Sequence, residues 1–436
     1  MNPDAKRILI LGAYGLIGSA IARRLTAAGH LVTGLGRDPV AARKVLPNIS
    51  WQIADVAGLL DPNSWGAHLQ DIDVVINCTG ALQNGHQDDL EALHHHAVAA
   101  LSKACASRDA QLIQISAVGA TPEARTNFLS SKSRGDAAIK ASGCRYQILR
   151  PGLVLSETAY GGTAMLRMLA AVPVIQPLAF ADAPIQTVST NDLASAVLYA
   201  VSGDVPSGFE GDLVEPMPRP LGEIVAQMRH WLGFPRATRQ LHMPRPILAV
   251  LIAAADGLSH LGWRSPLRRN AVTVLQDGVT GDPTPWANLG LMPVAALKDT
   301  LACMPARAED RMSARISLVM PLLVATLSLF WLVSGLIGLF YATPAARVLQ
   351  DVGWPYPLAV SSVVFWAIVN MVLGVTILFR KHSAMACWAM IAVSAIYLMA
   401  SSLVTPHLWG DPLGPLVKIL PAMALALVAR ITLETR

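Results

Sequence analysis

The C-terminal third of the chain contains three long runs without a single Asp, Glu, Lys or Arg: residues 318–341, 358–379 and 384–404. About 20 apolar residues suffice for a helix to cross the ~30 Å hydrocarbon core of a bilayer, and an uncharged run of that length has few other folded fates. A fourth apolar segment, residues 413–429, is shorter and carries Lys418. Four membrane spans are expected. Only 14% of the 436 residues are charged and 53% are hydrophobic, against about 25% charged in a soluble domain. Upstream of Leu318 apolar and polar residues mix as they do in water-soluble folds.

The basic residues follow the spans. Arg307, Arg311 and Arg315 precede the first, Arg380-Lys381-His382 separate the second from the third, and Arg430 and Arg436 follow the fourth. The alternate connections hold only Arg347 beside Asp351, and no Lys or Arg between Val404 and residue 413. The positive-inside rule then places both termini, and everything before the first span, in the cytoplasm of a multi-pass inner-membrane protein. The net charge of +5 has the same origin. No Lys/Arg block or basic-aromatic interleaving marks a nucleic-acid partner. The five cysteines (Cys78, Cys105, Cys144, Cys303, Cys387) are scattered, with no C-x-x-C, which fits a reducing compartment better than a disulfide or zinc framework. His94-His95-His96 is read as a mostly solvated helix face, because contiguous helical residues point in different directions. No metal is expected there.

The N-terminal stretch RILILGAYGLIGSAIARRLTAAGH imitates a signal peptide, but its glycine spacing and basic continuation favour a strand, a turn and a helix. Gly12, Gly15 and Gly18 form G-x-x-G-x-x-G between strand and helix. Glycines there let the backbone approach a pyrophosphate that sits on the helix N-terminus. The next strand ends in Gly36-Arg37, where an NAD-specific site would place an acid for the ribose 2′-OH. Arg37 can instead pair with a 2′-phosphate, which favours NADP(H) over NAD(H). The other reading of Arg37 is a surface arginine in a βα loop. Further strand-like runs, ISWQIADV, DIDVVINCTG and AQLIQISAVG, recur at βαβ intervals and call for an α/β Rossmann fold with a doubly wound parallel sheet. Ligands of such sheets lie beyond the strands' carboxyl ends, which gathers Asp55, Asn77-Cys78-Thr79-Gly80 and Ser116 around one crevice.

The ordered series GAYGLIG, INCTG, IQISAVG, FLSSK and YQILRPGLV resembles the short-chain dehydrogenase/reductase superfamily. The likeness is greatest to extended and atypical members, including NmrA-like proteins and an accessory subunit of respiratory complex I, and covers roughly residues 6–235. In catalytic members a Tyr-x-x-x-Lys pair works with an upstream Ser. By motif, Ser116 takes the Ser place and Lys132 the Lys place, while Phe128 stands where the Tyr would be. The resemblance implies a catalytic pair of Ser116 and Lys132, and a cofactor site of Gly12, Tyr14, Gly15, Leu16, Ile17, Gly18, Arg37, Asp55, Thr79, Gly80, Ser116, Lys132 and Pro151. A positioned acid is typically worth 10²–10⁴-fold, and Phe has no proton to give. Tyr14 and Tyr160 are the nearest replacements in sequence, although Tyr14 sits in the phosphate loop and is better placed to pack over the cofactor. Downstream, Asp192 is expected to cap a helix, and PLGEIVAQMRHWLG to form an amphipathic helix of the substrate-shaping cap. The low charge between Pro173 and Asp212 favours an apolar substrate.

Residues 247–255 form one more apolar run, too short to span; with Arg264, Arg268 and Arg269 nearby it is either an interfacial helix or a core helix. The segments FWLVSGLIGLF and PHLWGDPLGPLVKILPAMALALVARITLETR resemble DoxX-like four-helix membrane proteins over roughly residues 314–436. That resemblance implies redox or quinone-linked chemistry. Lys418 within a span would be a functional candidate, with Asp411 as its partner, or would snorkel to the outer face. Asn370 is expected to make a helix–helix hydrogen bond. The expected partition is a nucleotide-binding domain at 1–240, cap remainder and linker at 241–312, and an all-α four-helix transmembrane domain at 313–436. The leading function is a membrane-anchored NADP(H)-dependent oxidoreductase for a lipophilic or quinone-like substrate, in a bilayer and open to oligomerisation. The alternatives are a non-catalytic nucleotide-binding sensor or assembly module, and, on Lys418 and Asn370 alone, a nucleotide-regulated transporter.

Overall fold

A computed structural model describes residues 5–81, 89–159, 161–263, 267–412 and 414–433. Seven strands form one parallel sheet: β1 (Arg7–Leu11), β2 (Leu31–Gly36), β3 (Ser50–Ile53), β4 (Val74–Asn77), β5 (Gln111–Ile115), β6 (Tyr146–Pro151) and β7 (Phe209–Leu213). Their order across the sheet is β7-β6-β5-β4-β1-β2-β3. The direction of winding reverses between β1 and β4, which pair from Ile8↔Val74 to Leu11↔Asn77. The buried strands are near-continuous apolar runs because helices cover both faces.

The first seven helices are α1 (Leu16–Ala27), α2 (Pro39–Val45), α3 (Ala97–Ser107), α4 (Asn127–Ala141), α5 (Gly161–Ala170), α6 (Thr190–Ser202) and α7 (Leu221–Trp231). One core joins Ile8, Ile10 and Ile76 to Ile21 of α1 and to Leu193 and Val197 of α6. The other joins Leu9, Leu11 and Val75 to Leu101 of α3 and to Trp65. The α6 N-cap is Ser189, whose Oγ accepts from Asp192 N at 2.9 Å. Asp192, expected as the cap, lies in the first turn and accepts instead from Ala295 N. In the cap region Arg229 of α7 donates to the carbonyls of Ala170 and Val172, tying α7 to the end of α5.

Four further helices follow: α8 (Arg245–His260), α9 (Arg269–Asp277), α10 (Thr284–Ala287) and α11 (Leu297–Cys303). The chain divides into two compact units, residues 1–253 with 266–311, and residues 254–265 with 312–436. Residues 241–312, expected to hold the cap remainder, a possible interfacial helix and a linker, contribute to both units.

The second unit holds α12 (Ala308–Phe340, which starts in the first unit), α13 (Ala342–Gln350), α14 (Tyr356–Thr376), α15 (Arg380–Val404) and α16 (Ile419–Leu433). Among the described residues three helices, α12, α14 and α15, are long and apolar enough to cross a membrane, with mean hydropathies of 2.3, 2.2 and 1.9. Small residues bring α12 and α14 together. A Cβ at Gly335 would run into Ala367 O and Met371, and one at Gly374 into Leu332 and Ser328 O. Ser328 Oγ donates to Gly374 O at 2.7 Å, the kind of polar contact that holds helices in lipid. Asn370, expected to make such a bond, is half-buried and makes no side-chain hydrogen bond among the described residues.

In the fourth expected span the described helix is α16, 15 apolar-rich residues that run to the end of the described chain, about 22 Å at 1.5 Å per residue. Gly414, with φ of +57°, and Pro415 stop it from extending toward its N-terminus. Lys418 lies in the turn before the helix and is exposed, and no described helix carries it to Asp411. Arg264, residue 413 and Arg436 lie outside the described residues.

Candidate functional site

The site begins where β1 ends. Gly12 has φ of +69°, and a Cβ on it would press on the Cys78–Thr79 peptide just beyond β4. A Cβ on Gly18 would overlap Gly12 O. The loop therefore closes tightly against the β4 end, where Cys78 N donates to Leu11 O. Gly15 is the N-cap of α1 and supplies no side-chain acceptor, so no side chain caps the first-turn N–H groups around Leu16, Ile17 and Gly18. The Tyr14 ring packs on Gly36, where a Cβ would collide with it, and stands 6.0 Å from the Trp51 ring. Tyr14 thus covers the end of β2 and is held by the protein itself. Arg37 follows β2 directly and is exposed. Asp55 follows β3 and caps a short 3-10 turn by accepting from Ala57 N.

The β4 and β5 ends are pinned by a buried amide pair, Asn77 Nδ2 donating to Gln114 Oε1 at 2.8 Å. Asn77 Oδ1 in turn accepts from both N and Oγ1 of Thr79, which fixes the turn into Gly80. Over this turn stands α4, capped by Thr126, whose Oγ1 accepts from Leu129 N. Its Lys132 is buried and donates from Nζ to Ile115 O at 3.0 Å, leaving two ammonium protons for other acceptors. Burial pulls the Lys132 pKa down from the usual lysine range, with Asp136 and Cys78 opposing. A Cβ on Gly80 would lie 3.9 Å from Lys132 Nζ and 3.8 Å from His94 Nε2. Glycine loop, β4 turn and α4 lysine therefore share the carboxyl edge of the sheet at its switch point, where such folds bind ligands.

Ser116 is buried just beyond β5, and its Oγ donates to Asp136 Oδ2 at 2.7 Å. Its one proton is thus engaged, and in this arrangement it offers a ligand only acceptor lone pairs. Asp136 also faces Arg150, which pairs with Glu210 at 2.6 Å. Burial raises the Asp136 pKa, against the hydrogen bond from Ser116 and the charges of Arg150 and Lys132. Pro151 ends β6, and its carbonyl accepts from Val118 N. Burial pushes the Cys78 thiol up to about 12, against the nearby Lys132 charge, so it is not a nucleophile at neutral pH. Tyr160, one of the two suggested replacement acids, lies outside the described residues.

Phe128 lies one helical turn before Lys132, whose Nζ stands 5.8 Å from the ring centroid. On the other side the His94 ring meets Phe128 edge-on at 5.6 Å. His94 was expected on a solvated face; it is buried. Residues Ala92–His96 make a π turn, which changes the angular spacing from that of an α-helix and rotates His94 inward. Gly135 permits this seat, since a Cβ there would overlap His94 O. Nε2 of His94 accepts from Ala81 N at 3.3 Å and Nδ1 pairs with Ser131 Oγ at 2.9 Å. Ser131 Oγ donates in turn to Phe128 O. This pattern fixes a neutral ring with its proton on Nδ1, and burial together with the Lys132 charge drives the His94 pKa down to about 2. His94 is a wall and a brace, not an acid. No pattern in the sequence separates it from its two histidine neighbours.

The same π turn corrects the expectation that these histidines diverge. His95 and His96 stack at 4.7 Å, and with Glu91 they bring possible ligand atoms within 4.8 Å of one another. Glu91 is already engaged: Arg134 reaches both carboxylate oxygens and His95 Nδ1 pairs with Oε1. The Arg134 hydrogen bond holds the Glu91 pKa down near 2. A cation there would have to displace a guanidinium.

Residues 12–202 match the NAD(P)H-binding family, and residues 328–427 match the DoxX-like family. No curated protein matches the chain. The Bordetella bronchiseptica enzyme WbmH, in a complex with NAD+, is similar at 17% identity and a TM-score of 0.51, over 69% of this chain and 97% of its own. The NADPH-dependent quinone oxidoreductase QOR2 of Escherichia coli, complexed with NADPH, is similar at 17% identity and a TM-score of 0.52, over 68% and 98%. The UDP-N-acetylglucosamine 4-epimerase of Bacillus cereus is similar at 13% identity and a TM-score of 0.50, over 69% and 99%. At these identities the likeness is one of fold. The chain thus joins an N-terminal NAD(P)H-binding Rossmann domain, oxidoreductase-like in kind, to a C-terminal DoxX-like membrane domain.

Proposed function

We propose that this is a membrane-anchored NADP(H)-dependent oxidoreductase that reduces a lipophilic, quinone-like acceptor. The observation that carries the reading is the pairing of Lys132 with Phe128. The buried ammonium stays at the sheet edge with protons to spare, while an aromatic wall of Phe128 and His94 stands where a proton donor would be. The uncapped first turn of α1 and the glycines around it fit a pyrophosphate. Lys132 would hold the nicotinamide ribose, and Arg37 the 2′-phosphate that distinguishes NADP(H).

NADPH supplies a hydride when bound. A ketone taking that hydride becomes an alkoxide that demands a proton at once. A quinone becomes a hydroquinone anion, a far weaker base, which takes its proton from water or from the Lys132 ammonium. The low pKa of a buried lysine makes that donation easier. A crevice without a tyrosine hydroxyl is thus suited to quinones. The membrane helices would keep such an acceptor close by, QOR2 gives a fold-level precedent for quinone reduction with NADPH, and the arginine flanks of the spans favour a cytoplasmic site on the NADPH side.

The test is NADPH oxidation by the full-length protein in nanodiscs, followed at 340 nm with a short-chain quinone and, separately, an aliphatic ketone. Turnover is expected with the quinone and not the ketone, and Phe128→Tyr should add ketone reduction. Stoichiometric NADPH binding without oxidation by any quinone would overturn the reading. It would favour the alternative that Phe128 also suits: a nucleotide-binding module whose cofactor is structural or a redox signal.

A further inference from the structure

We propose that α8 is an in-plane membrane helix whose apolar face lies in the bilayer interface. Residues 247–255 are nine consecutive uncharged apolar residues, yet Ala255 is the one buried residue in all sixteen of α8. Ile247, Val250 and Leu251 are 54%, 69% and 40% exposed. A helix of this composition in a water-soluble fold would be core, so α8 is not the core helix that was one of its two sequence readings. Nine residues rise only about 14 Å, less than half the thickness a span must cross.

At 100° per residue, Arg245, Asp256 and His260 fall within about 60° of one another around the axis. Ile247, Val250, Leu251 and Leu258 fall on the opposite side. A short helix so divided lies flat, with its apolar face about 5–10 Å into the headgroup boundary. The chain just beyond α8 is attached where two spans reach their membrane surface. Arg380, the first residue of α15, donates its backbone N–H to Leu261 O at 2.9 Å. Trp263 Nε1 donates to Leu378 O at 2.6 Å, and the Arg380 guanidinium stands 5.6 Å from the Trp263 ring. Tryptophan and arginine are the residues that anchor helices at this level. The lipid surface that covers these span ends is thus continuous with the end of α8, and the occupant of its apolar face is that same bilayer.

The experiment places a nitroxide at Val250→Cys in the full-length protein carrying Cys303→Ser, reconstituted in nanodiscs of mixed zwitterionic and anionic lipid with one copy per disc. Arg245→Cys serves as the polar-face control and Phe330→Cys, on α12, as the lipid-facing reference. Collisions of the Val250 label with oxygen should exceed those with a water-soluble nickel chelate several-fold, as at Phe330 and unlike Arg245. Nickel accessibility matching that of Arg245 would overturn the proposal by showing a water-exposed face. Protection from both reagents in single-copy discs would overturn it in favour of protein cover. Protection that appears only in discs with two copies would overturn it in favour of a dimer contact.

Discussion

The two units spend the same kind of side chain in opposite ways. In the Rossmann unit Ile8, Leu9, Ile10 and Leu11 are 0% exposed between two helical layers. In the helical unit Phe340 and Leu403 are 81% and 79% exposed, and at most 28% of the apolar window of any span is buried. The first pattern needs water outside it, since burial of apolar surface drives the fold. The second needs lipid, and close packing of Gly335 and Gly374 replaces the hydrophobic drive between its helices. Polar chemistry is divided the same way. The first unit buries Lys132, Asp136, Ser116 and His94 around one crevice, whereas the second unit's most prominent ionisable candidate, Lys418, turns out to be outside its helix.

The sharpest way to break this contrast is to fill the glycine loop. Gly18→Val should abolish NADPH binding in a titration, because the new Cβ collides with backbone at Gly12 rather than with a side chain that can move. Next in size is a matched truncation. Leu9→Ala should cost the Rossmann unit about 2–5 kcal/mol in denaturant unfolding. Leu403→Ala, the same change on a lipid-facing surface, should stay within about 0.5 kcal/mol. Equal losses would mean the exposed helical surface is covered by protein.

Lys132→Met sharpens the polar side. Loss of a charge-assisted contact is worth about 1.5–3 kcal/mol, so NADPH affinity should fall roughly 10- to 100-fold. Without nucleotide the same variant should lose little stability, since a costly buried ammonium is removed. The smallest effect is a slope. His94 has a folded pKa near 2, below the ordinary histidine value of 6.5, so below pH 6.5 the unfolded chain binds a proton that the native state refuses. Its stabilising contribution is present above pH 6.5 and is lost as pH falls, by about 1.4 kcal/mol per unit. Stability-against-pH curves for His94→Gln should be flatter on the acid side, with the change confined to the Rossmann unit.

What could be read from the sequence follows from how local each constraint is. Gly12, Gly15 and Gly18 announce the phosphate loop because the backbone itself demands them. The three long spans are legible because length and absence of charge are linear properties. Lys132 and Phe128 were found by spacing within one helix. The network behind them was not: Asp136 meets Ser116 and Arg150 across the sheet edge. His94 is turned inward by a π turn that periodicity does not reveal and that Gly135, 41 positions later in the chain, makes room for. The late start of the fourth helix also has a local cause, Gly414-Pro415 ahead of it.

The most direct measurement is a calorimetric titration of the full-length protein in nanodiscs with NADPH and NADH side by side. One NADPH should bind per chain, at least about tenfold tighter than NADH, the equivalent of one modest charge pair from Arg37 to the 2′-phosphate. Equal affinities would contradict the role given to Arg37, and the absence of binding by either nucleotide would contradict the site itself.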